Sequence, residues 1–173
     1  MVRIGILTVS DRAARGEYED LGGPAIADWL GRAITTPWEP VRRIIPDGFD
    51  SVRAALVALC DTDKVDLLLT TGGTGPSPSD RTPEATEAAI ERVMPGFGEA
   101  MRLASLRHVS TAILSRQLAG LRGTSLIINL PGKPASVAVC LEAVFAAVPY
   151  CLDLIGAGRI ETDPAVITAF RPK

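Results

Sequence analysis

Histidine is almost absent from the 173-residue sequence, which contains His108 and no other. A zinc site built from several histidines is therefore excluded, and a Ser-His-Asp triad would have to use a residue that lies in a helical pattern far from any nucleophile motif. That pattern predicts an ordinary surface or partly buried helix residue at His108.

Cysteine is scarce and has no metal-binding or redox spacing. Cys60, Cys140 and Cys151 are odd in number, and no CxxC pair occurs. Each lies in an apolar segment, so we expect buried free thiols in a reduced, cytoplasmic protein.

An excess of basic charge and a long apolar run are also missing. The 18 basic and 20 acidic residues give a net charge of −2, and 5% of residues are aromatic, so neither a nucleic-acid partner nor a single-strand stacking surface is expected. The apolar run Val137–Ile155 is interrupted by Glu142, Pro149 and Asp153, which argues against a membrane span. The N-terminal residues read directly as a strand, without a signal-peptide pattern.

The composition that is present, 47% hydrophobic and 22% charged, is typical of a folded globular domain. The length fits one domain over residues 1–173. Strand and helix patterns alternate along most of the chain, which predicts an α/β fold with a mostly parallel sheet and helices on both faces.

The predicted strands are short and largely apolar, and they cover Arg3–Ser10, Glu39–Pro46, Val65–Thr70 and Ser125–Leu130. The predicted helices begin at Pro24, and then cover Asp50–Cys60, Pro83–Val93, about Gly98–Arg107, Ala135–Ala147 and Pro149–Ile155. Thr111–Gly120 fits either a short strand or an irregular segment, and the tail Gly156–Lys173 is expected on the surface.

Polar residues follow four of these strands directly. They are Ser10-Asp11, Asp47, Thr70–Gly75 and Asn129–Lys133. Because ligands of open α/β sheets bind outside the carboxyl ends of the strands, we expect these four segments to meet at one crevice.

The glycine loop after the third predicted strand is the densest of these segments. Gly72, Gly73 and Gly75, with Thr70, Thr71 and Thr74 around them, allow the backbone to approach an anion and direct N–H groups at it. Neither a GxGxxG nor a GxxxxGK[ST] motif occurs. The pattern favours a phosphate-binding loop, and a tight strand-to-helix turn is the alternative.

Two aspartates near these strand ends are candidate Mg²⁺ ligands. Asp80 precedes Thr82, which fits a helix N-cap, and Pro83, which fits the first helical position. Asp47 follows a strand end, and Asp50 or Ser51 fits the cap of the next helix. Mg²⁺ usually takes one or two carboxylates together with substrate phosphates, although each aspartate alone also fits a turn.

Basic residues in two further loops complete the candidate site. Lys133 lies at a strand end and fits a point contact with phosphate, or a plain surface lysine. Arg116, next to Ser115, fits a bidentate anion clamp or a pair with a surface carboxylate. Ser10 and Asp11 fit the crevice wall, and Asp11 also fits a turn.

The ordered motifs resemble the molybdopterin-binding family of molybdenum-cofactor biosynthesis, in particular its adenylyltransferase branch. The similarity runs from Arg3 to about Pro172, and it rests on these segments: Leu-Leu-Leu-Thr-Thr-Gly-Gly-Thr-Gly with Asp80 downstream, Pro95–Glu99, Leu114–Arg116 and Asn129–Pro134. It implies a three-layer α/β/α fold that assembles as a homotrimer. It also implies transfer of AMP from ATP to the terminal phosphate of molybdopterin, with release of pyrophosphate, and a partner enzyme that inserts molybdate.

The resemblance also implies roles for individual residues. Asp47 and Asp80 match the two aspartates that are essential in the family. Pterin and phosphate contacts match the loop Thr70–Gly75 together with Ser115 and the turn Pro131, Gly132 and Lys133. Ser10, Asp11 and Asn129 join this set from their positions at strand ends, and Arg116 joins it from a loop-like region beside Ser115.

Two other functions remain compatible with the sequence. Some relatives of the same fold bind molybdopterin without catalysis, and a nucleotide-processing pyrophosphatase would also use a glycine loop with acids. Asp47 and Asp80 together favour the transferase over the accessory protein, and the Pro-Gly-Phe-Gly-Glu and Leu-Pro-Gly-Lys-Pro motifs favour a pterin over a nucleotide pyrophosphate. The sequence is compatible with a tungsten cofactor as well as with a molybdenum cofactor.

Overall fold

A computed structural model describes residues 1–173 and contains one six-stranded sheet. The strands are β1 Val2–Val9, β2 Trp38–Ile45, β3 Leu67–Thr71, β4 Arg92–Val93, β5 Ala119–Arg122 and β6 Ser125–Leu130. Their order across the sheet is β2-β1-β3-β6-β5-β4. The first four strands in this order are parallel, whereas β5 is antiparallel to β6 and β4 is antiparallel to β5.

Helices cover both faces of the sheet. They are α1 Asp11–Ala14, α2 Gly22–Ala33, α3 Phe49–Asp61, α4 Thr82–Ala89, α5 Pro95–Leu106, α6 Pro134–Val144 and α7 Val148–Ile155, with a 3₁₀ helix at Ser110–Leu114. Helices α2, α5, α6 and α7 contribute to a core cluster of 27 buried residues, and α3 and α4 to a cluster of 12 on the opposite face. The mostly parallel, three-layer α/β/α fold is as predicted.

The two clusters follow from the two-residue period of the central strands. In β3, Leu67 and Leu69 belong to the larger cluster and Leu68 to the smaller one. Because both faces are covered, all of β3 is buried, which its almost unbroken apolar run requires. An edge-to-face contact between Trp29 and Phe145, with ring centroids 4.9 Å apart, lies in the larger cluster.

The antiparallel end of the sheet differs from the prediction. The helix predicted over Pro83–Val93 ends at Ala89, and Arg92–Val93 forms β4. The ambiguous segment Thr111–Gly120 begins in the 3₁₀ helix, continues without regular structure over residues 115–118, and ends in the first two residues of β5. Helix α5 begins at Pro95 rather than at Gly98, because a proline is tolerated in the first turn.

Two predicted helix caps are wrong. Gly48, at φ 122°, occupies the N-cap of α3 without a side-chain cap, and the Ser51 hydroxyl instead donates to nearby carbonyl groups. Arg81 occupies the N-cap of α4, so that Thr82 is the first helical residue and Pro83 the second.

The tail is only partly a surface segment. Thr162 forms a bridge with Ile34, and the Ile160 side chain is fully buried in the larger core cluster. The prediction of a surface tail is therefore wrong at Ile160.

The prediction of buried free thiols agrees with the structure. All three cysteines are free and buried, and burial raises the pKa of the Cys60 thiol to about 11. His108 is exposed beyond the end of α5. No single helix is long and apolar enough to cross a membrane; α6 and α7 meet that criterion only as a pair, and they are bent by 64° at their break.

Candidate active site

Loops from the carboxyl ends of the parallel strands meet at one edge of the sheet. Asp11 and Asp47, which follow β1 and β2, exchange two hydrogen bonds: the Asp11 N–H donates to Asp47 Oδ2 at 2.9 Å, and the Asp47 N–H donates to Asp11 Oδ1 at 3.0 Å. The Thr71 hydroxyl, at the end of β3, donates to the Pro131 carbonyl after β6 at 2.8 Å. These contacts connect the strand ends in two pairs, β1 with β2 and β3 with β6.

The glycine loop passes where a side chain has no room. Gly72 has φ 100°, and a Cβ built on it would lie 2.2 Å from the Val9 carbonyl oxygen. A Cβ on Gly73, at φ 67°, would lie 2.3 Å from Thr82 Oγ1 and 3.3 Å from Asp47 Oδ1. The loop therefore runs between the end of β1 and the start of α4, and its backbone lies beside the Asp47 carboxylate.

Asp47 lies in an environment that disfavours its charge. Burial raises the pKa of the Asp47 carboxyl, and the neighbouring carboxylates of Asp11 and Asp80 raise it further. The hydrogen bonds from the Asp11 and Asp47 backbone N–H groups act in the opposite direction. The effect of the Asp80 charge on the pKa of Asp47 indicates that the two carboxylates lie near one small region.

Asp80 is held at the other side of the glycine loop. Its Oδ2 accepts a hydrogen bond from the Ser77 N–H at 3.0 Å, and its own N–H donates to the Ser77 carbonyl at 2.9 Å. A Cβ built on Gly75 would lie 2.8 Å from Asp80 Oδ2. The turn thus brings the carboxylate directly against the loop backbone.

Arg116 connects the two ends of the turn from Gly75 to Asp80, which we call the acidic turn. Its Nε donates to the Gly75 carbonyl at 2.9 Å and one terminal nitrogen donates to the Asp80 carbonyl at 2.6 Å, while the other pairs with Glu84. Its backbone N–H donates to the Thr74 carbonyl at 2.9 Å. Burial would raise the pKa of the Glu84 carboxyl, but the Arg116 hydrogen bond and charge hold it below its usual value. Of the two roles predicted for Arg116, the structure shows the carboxylate pair.

A buried polar network lies beneath the loops. The Asn129 side-chain amide donates to Thr70 Oγ1 at 3.2 Å and to Thr86 Oγ1 at 3.0 Å, and the Thr86 hydroxyl donates to the Thr82 carbonyl at 2.8 Å. Thr70 and Asn129 are fully buried. The sequence predicts that these two residues contact substrate directly. In the structure their side chains instead hold β3, β6 and α4 together.

Two cavities adjoin these loops, where the sequence predicts a single crevice. The switch-point cavity, of 150 Å³, is lined by residues that include Thr8, Ser10, Asp20, Thr71, Gly72 and Gly132. The basic cavity, of 280 Å³, is lined by residues that include Thr74, Gly75, Arg102, Ser115, Gln117 and Lys133. The glycine loop and the Pro131–Lys133 turn contribute to both cavities, and they divide the predicted crevice.

Several lining residues are absent from the sequence-based set. Asp20 accepts from the Thr8 hydroxyl at 2.9 Å and from the Gly23 N–H at 3.0 Å, which ties β1 to the start of α2. An aspartate just before a helix is a recognisable cap signal. Arg102 and Gln117 have no such signal, because their approach to the basic cavity depends on how α5 packs beside the segment before β5.

The carboxylates present suit a hard divalent cation that shares its ligands with substrate. The chain contains no group of three or more His, Cys, Asp or Glu side chains that could hold a metal. Asp47 and Asp80 supply two carboxylates at one loop, and the pKa of Asp47 is raised first by burial and then by the neighbouring negative charges, which a cation would offset. This donor set fits Mg²⁺, which usually takes one or two carboxylates with phosphate and water oxygens.

Comparison with known proteins places the whole chain in one family. A family model described as a probable molybdopterin binding domain matches residues 5–150. The molybdopterin adenylyltransferase of Helicobacter pylori is 52% identical over 172 residues, covering 99% of this chain and 98% of that protein. That of Escherichia coli K12 is 48% identical over 184 aligned positions, covering 99% and 94%.

Solved structures agree with the sequence comparison. The crystal structure of the molybdopterin biosynthesis enzyme MoaB from Thermus thermophilus has a TM-score of 0.84 and 42% identity, and the match covers 93% of this chain and 100% of that one. The chain belongs to the molybdopterin-binding family of molybdenum-cofactor biosynthesis, as its motifs predict.

Proposed function

We propose that this protein is a molybdopterin adenylyltransferase, which transfers AMP from ATP to the terminal phosphate of molybdopterin and releases pyrophosphate. The observation that carries the proposal is the pair Asp47 and Asp80 on either side of the glycine loop. Near-full-length relatives named for this activity support it.

The chemistry needs little acid–base assistance from the protein. The attacking group would be a phosphate monoester, whose second pKa is about 6, so that it is mostly dianionic near neutral pH. The absence of a histidine from the site is therefore no obstacle, since His108 lies exposed beyond α5. The main barrier is repulsion between anions, and oriented N–H groups of a glycine loop reduce such repulsion.

Asp47 and Asp80 would hold Mg²⁺ in this proposal. The ion, when bound, would supply positive charge that neutralises phosphate oxygens. Arg116 would keep the Asp80 turn in place, because it binds the Gly75 and Asp80 carbonyls at the two ends of that turn.

The wider setting follows from the same proposal. We expect a homotrimer, a cytoplasmic location and a partner enzyme that consumes the adenylylated product and inserts molybdate. Three free, buried thiols are compatible with a reducing compartment.

The test is an assay of purified protein with ATP, Mg²⁺ and molybdopterin, in which adenylylated pterin and pyrophosphate are detected. Asp47→Asn and Asp80→Asn are each expected to lower turnover by about 100-fold or more, with little change in molybdopterin affinity. Asp28→Asn, at an exposed position of α2, is the matched control and should retain full turnover. Tight pterin binding without AMP transfer by the wild type would contradict the proposal and indicate an accessory protein. Near-normal turnover in both variants would overturn the assignment of the two aspartates.

A further inference from the structure

The basic cavity contains positive charge without a carboxylate in its lining. Arg102 and Lys133 are its two charged residues, and hydroxyl or amide side chains such as Ser115 and Gln117 make up much of the rest. Positive groups facing a cavity without acidic neighbours create a favourable potential for an anion. The switch-point cavity differs, since its only charged lining residue is Asp20.

Arg102 differs from other half-buried arginines of this chain in having no acidic partner. None of the ion pairs involves Arg102. One terminal nitrogen donates to the Gln117 carbonyl at 2.6 Å, and the guanidinium forms no other hydrogen bond. Its remaining donors are therefore available to a ligand in the basic cavity.

The Arg102 guanidinium lies in a defined position beside Gly98. A Cβ built on Gly98 would lie 3.2 and 3.3 Å from its two terminal nitrogens and 2.8 Å from the Gln117 carbonyl oxygen. The glycine thus lets α5 approach the chain just before β5, and the guanidinium lies in that gap at the cavity wall. A guanidinium fixed in this way is pre-organised for two parallel hydrogen bonds to phosphate.

Arg116, by contrast, uses all three of its guanidinium nitrogens in contacts within the protein. Its donors go to the Gly75 and Asp80 carbonyls and to the Glu84 carboxylate. A guanidinium that gave up these contacts to hold a ligand would leave the half-buried Glu84 carboxylate and two carbonyls without these hydrogen bonds, which is costly.

We infer that Arg102 is the anion-binding guanidinium of this protein and that it holds a phosphate group of a substrate in the basic cavity. The inference rests on the proposed function for the identity of the substrates. The phosphate belongs either to the pterin or to the nucleotide, and the two sources have the same chemistry at Arg102.

The experiment compares Arg102→Gln, Arg102→Lys and a control, Arg107→Gln, by calorimetric titration with molybdopterin, ATP and inorganic pyrophosphate. Arg107 is exposed at the end of the same helix and lines neither cavity. Arg102→Gln should weaken the binding of at least one of the three ligands by about tenfold or more. Arg102→Lys should weaken binding by less, because lysine keeps the positive charge but cannot form two parallel hydrogen bonds. The ligand whose affinity falls identifies the source of the phosphate. The control variant should bind all three ligands as the wild type does.

Steady-state kinetics provide the second measurement. The Michaelis constant of the affected substrate should rise, with the turnover number changed little. Thermal unfolding should first show that both the wild type and Arg102→Gln are folded. Equal affinities of these two proteins for all three ligands would then overturn the inference. Failure of the wild type to bind any of the three ligands would also overturn it. If the wild type binds ligands but transfers no AMP, the proposed function fails while the titrations still decide the role of Arg102.

Discussion

At the scale of single residues, Asp47 is where we expect stability and the proposed function to conflict. Its carboxylate lies half-buried beside the glycine loop, with Asp11 and Asp80 nearby, and burial together with these charges raises its pKa. A group whose folded-state pKa is raised stabilises the fold while it is protonated, and that contribution is lost as the pH rises through the raised value. At neutral pH the ionised Asp47 is therefore expected to destabilise the protein.

Asp47→Asn should accordingly raise the melting temperature at pH 7 while abolishing most turnover. Asparagine retains an oxygen to accept the Asp11 N–H and removes the charge. The difference from wild type should shrink as the pH falls and vanish below the ordinary carboxyl pKa of 3.8. Thermal unfolding across pH checks this expectation, with Asp28→Asn as a control that should show no comparable gain. A melting temperature at pH 7 lower than that of the wild type would show that the ionised carboxylate stabilises the fold.

A second prediction at the residue scale concerns Arg116. The structure shows it as a brace that holds the Gly75 and Asp80 carbonyls, which differs from a guanidinium that binds an anion. Arg116→Lys should lower the turnover number by about tenfold, since lysine cannot span the Gly75 and Asp80 carbonyls, and should leave the Michaelis constants nearly unchanged. Glu84→Gln should act in the same direction with a smaller effect, because it removes the carboxylate partner of Arg116.

The matched control for this pair is Arg81→Gln. Arg81 lies 3.8 Å from Glu84 but makes no contact with the acidic turn through its side chain, so turnover should be preserved. If Arg116 instead clamped an anion, Glu84→Gln would release the guanidinium and tighten substrate binding. That result would exclude the brace.

At the scale of elements, the loop between β3 and α4 is constrained by backbone geometry. Gly72→Ala would place a Cβ against the Val9 carbonyl at a φ of 100°, and we expect a loss of about 3 kcal/mol. Gly31→Ala, in α2 with no atom within 4 Å of a built Cβ, should instead stabilise by about 0.5–1 kcal/mol through helix propensity. Denaturant unfolding of both variants measures the contrast, and equal effects would show that the close approach of Gly72 and Val9 does not constrain the fold.

Elements with a strong local pattern could be predicted, whereas those that depend on distant partners could not. The apolar runs of β1, β3 and β6 indicate buried parallel strands, and parallel strands bring Asp47, the glycine loop and the Pro131–Lys133 turn together. Strand β4 has two exposed residues, and it exists only because it pairs with β5. The contacts of Arg116 join residues 32 to 41 positions apart, so no local pattern could assign its role.

At the scale of the whole molecule, the strand order explains where the site lies. The chain leaves β1 for β2 on one side and returns to β3 on the other, so the direction of winding reverses between β1 and β3. Loops that diverge at such a point leave room between them, and the switch-point cavity is lined by the ends of both strands. The antiparallel pair β5 and β4 extends the sheet beyond β6, and Arg102 and Ser105 of α5 line the basic cavity.

An apolar groove on the α5–α6 face is a candidate subunit contact for the homotrimer that the family resemblance implies. The groove, of 360 Å³, is lined by residues that include Met94, Phe97, Ala143 and Ala147. Exposed apolar grooves of this kind commonly mark protein contacts, because covering them removes apolar surface from water. We therefore expect a second copy of the chain to cover this groove, and light scattering after size exclusion should give three times the chain mass of 18.2 kDa.

Ala143→Glu tests whether the groove is the contact, since Ala143 is exposed on α6 and glutamate is a good helix former. A carboxylate buried without a partner at an interface costs several kcal/mol, so the variant should dissociate to smaller species while keeping its helical content. Ala88→Glu, exposed on α4 at the opposite face of the sheet, should leave the mass unchanged. A wild-type mass of one chain would contradict the trimer, and an intact Ala143→Glu trimer would locate the subunit contact away from the groove. Dissociation with retained turnover would further show that each chain contains a complete site, since the residues that line both cavities come from one copy.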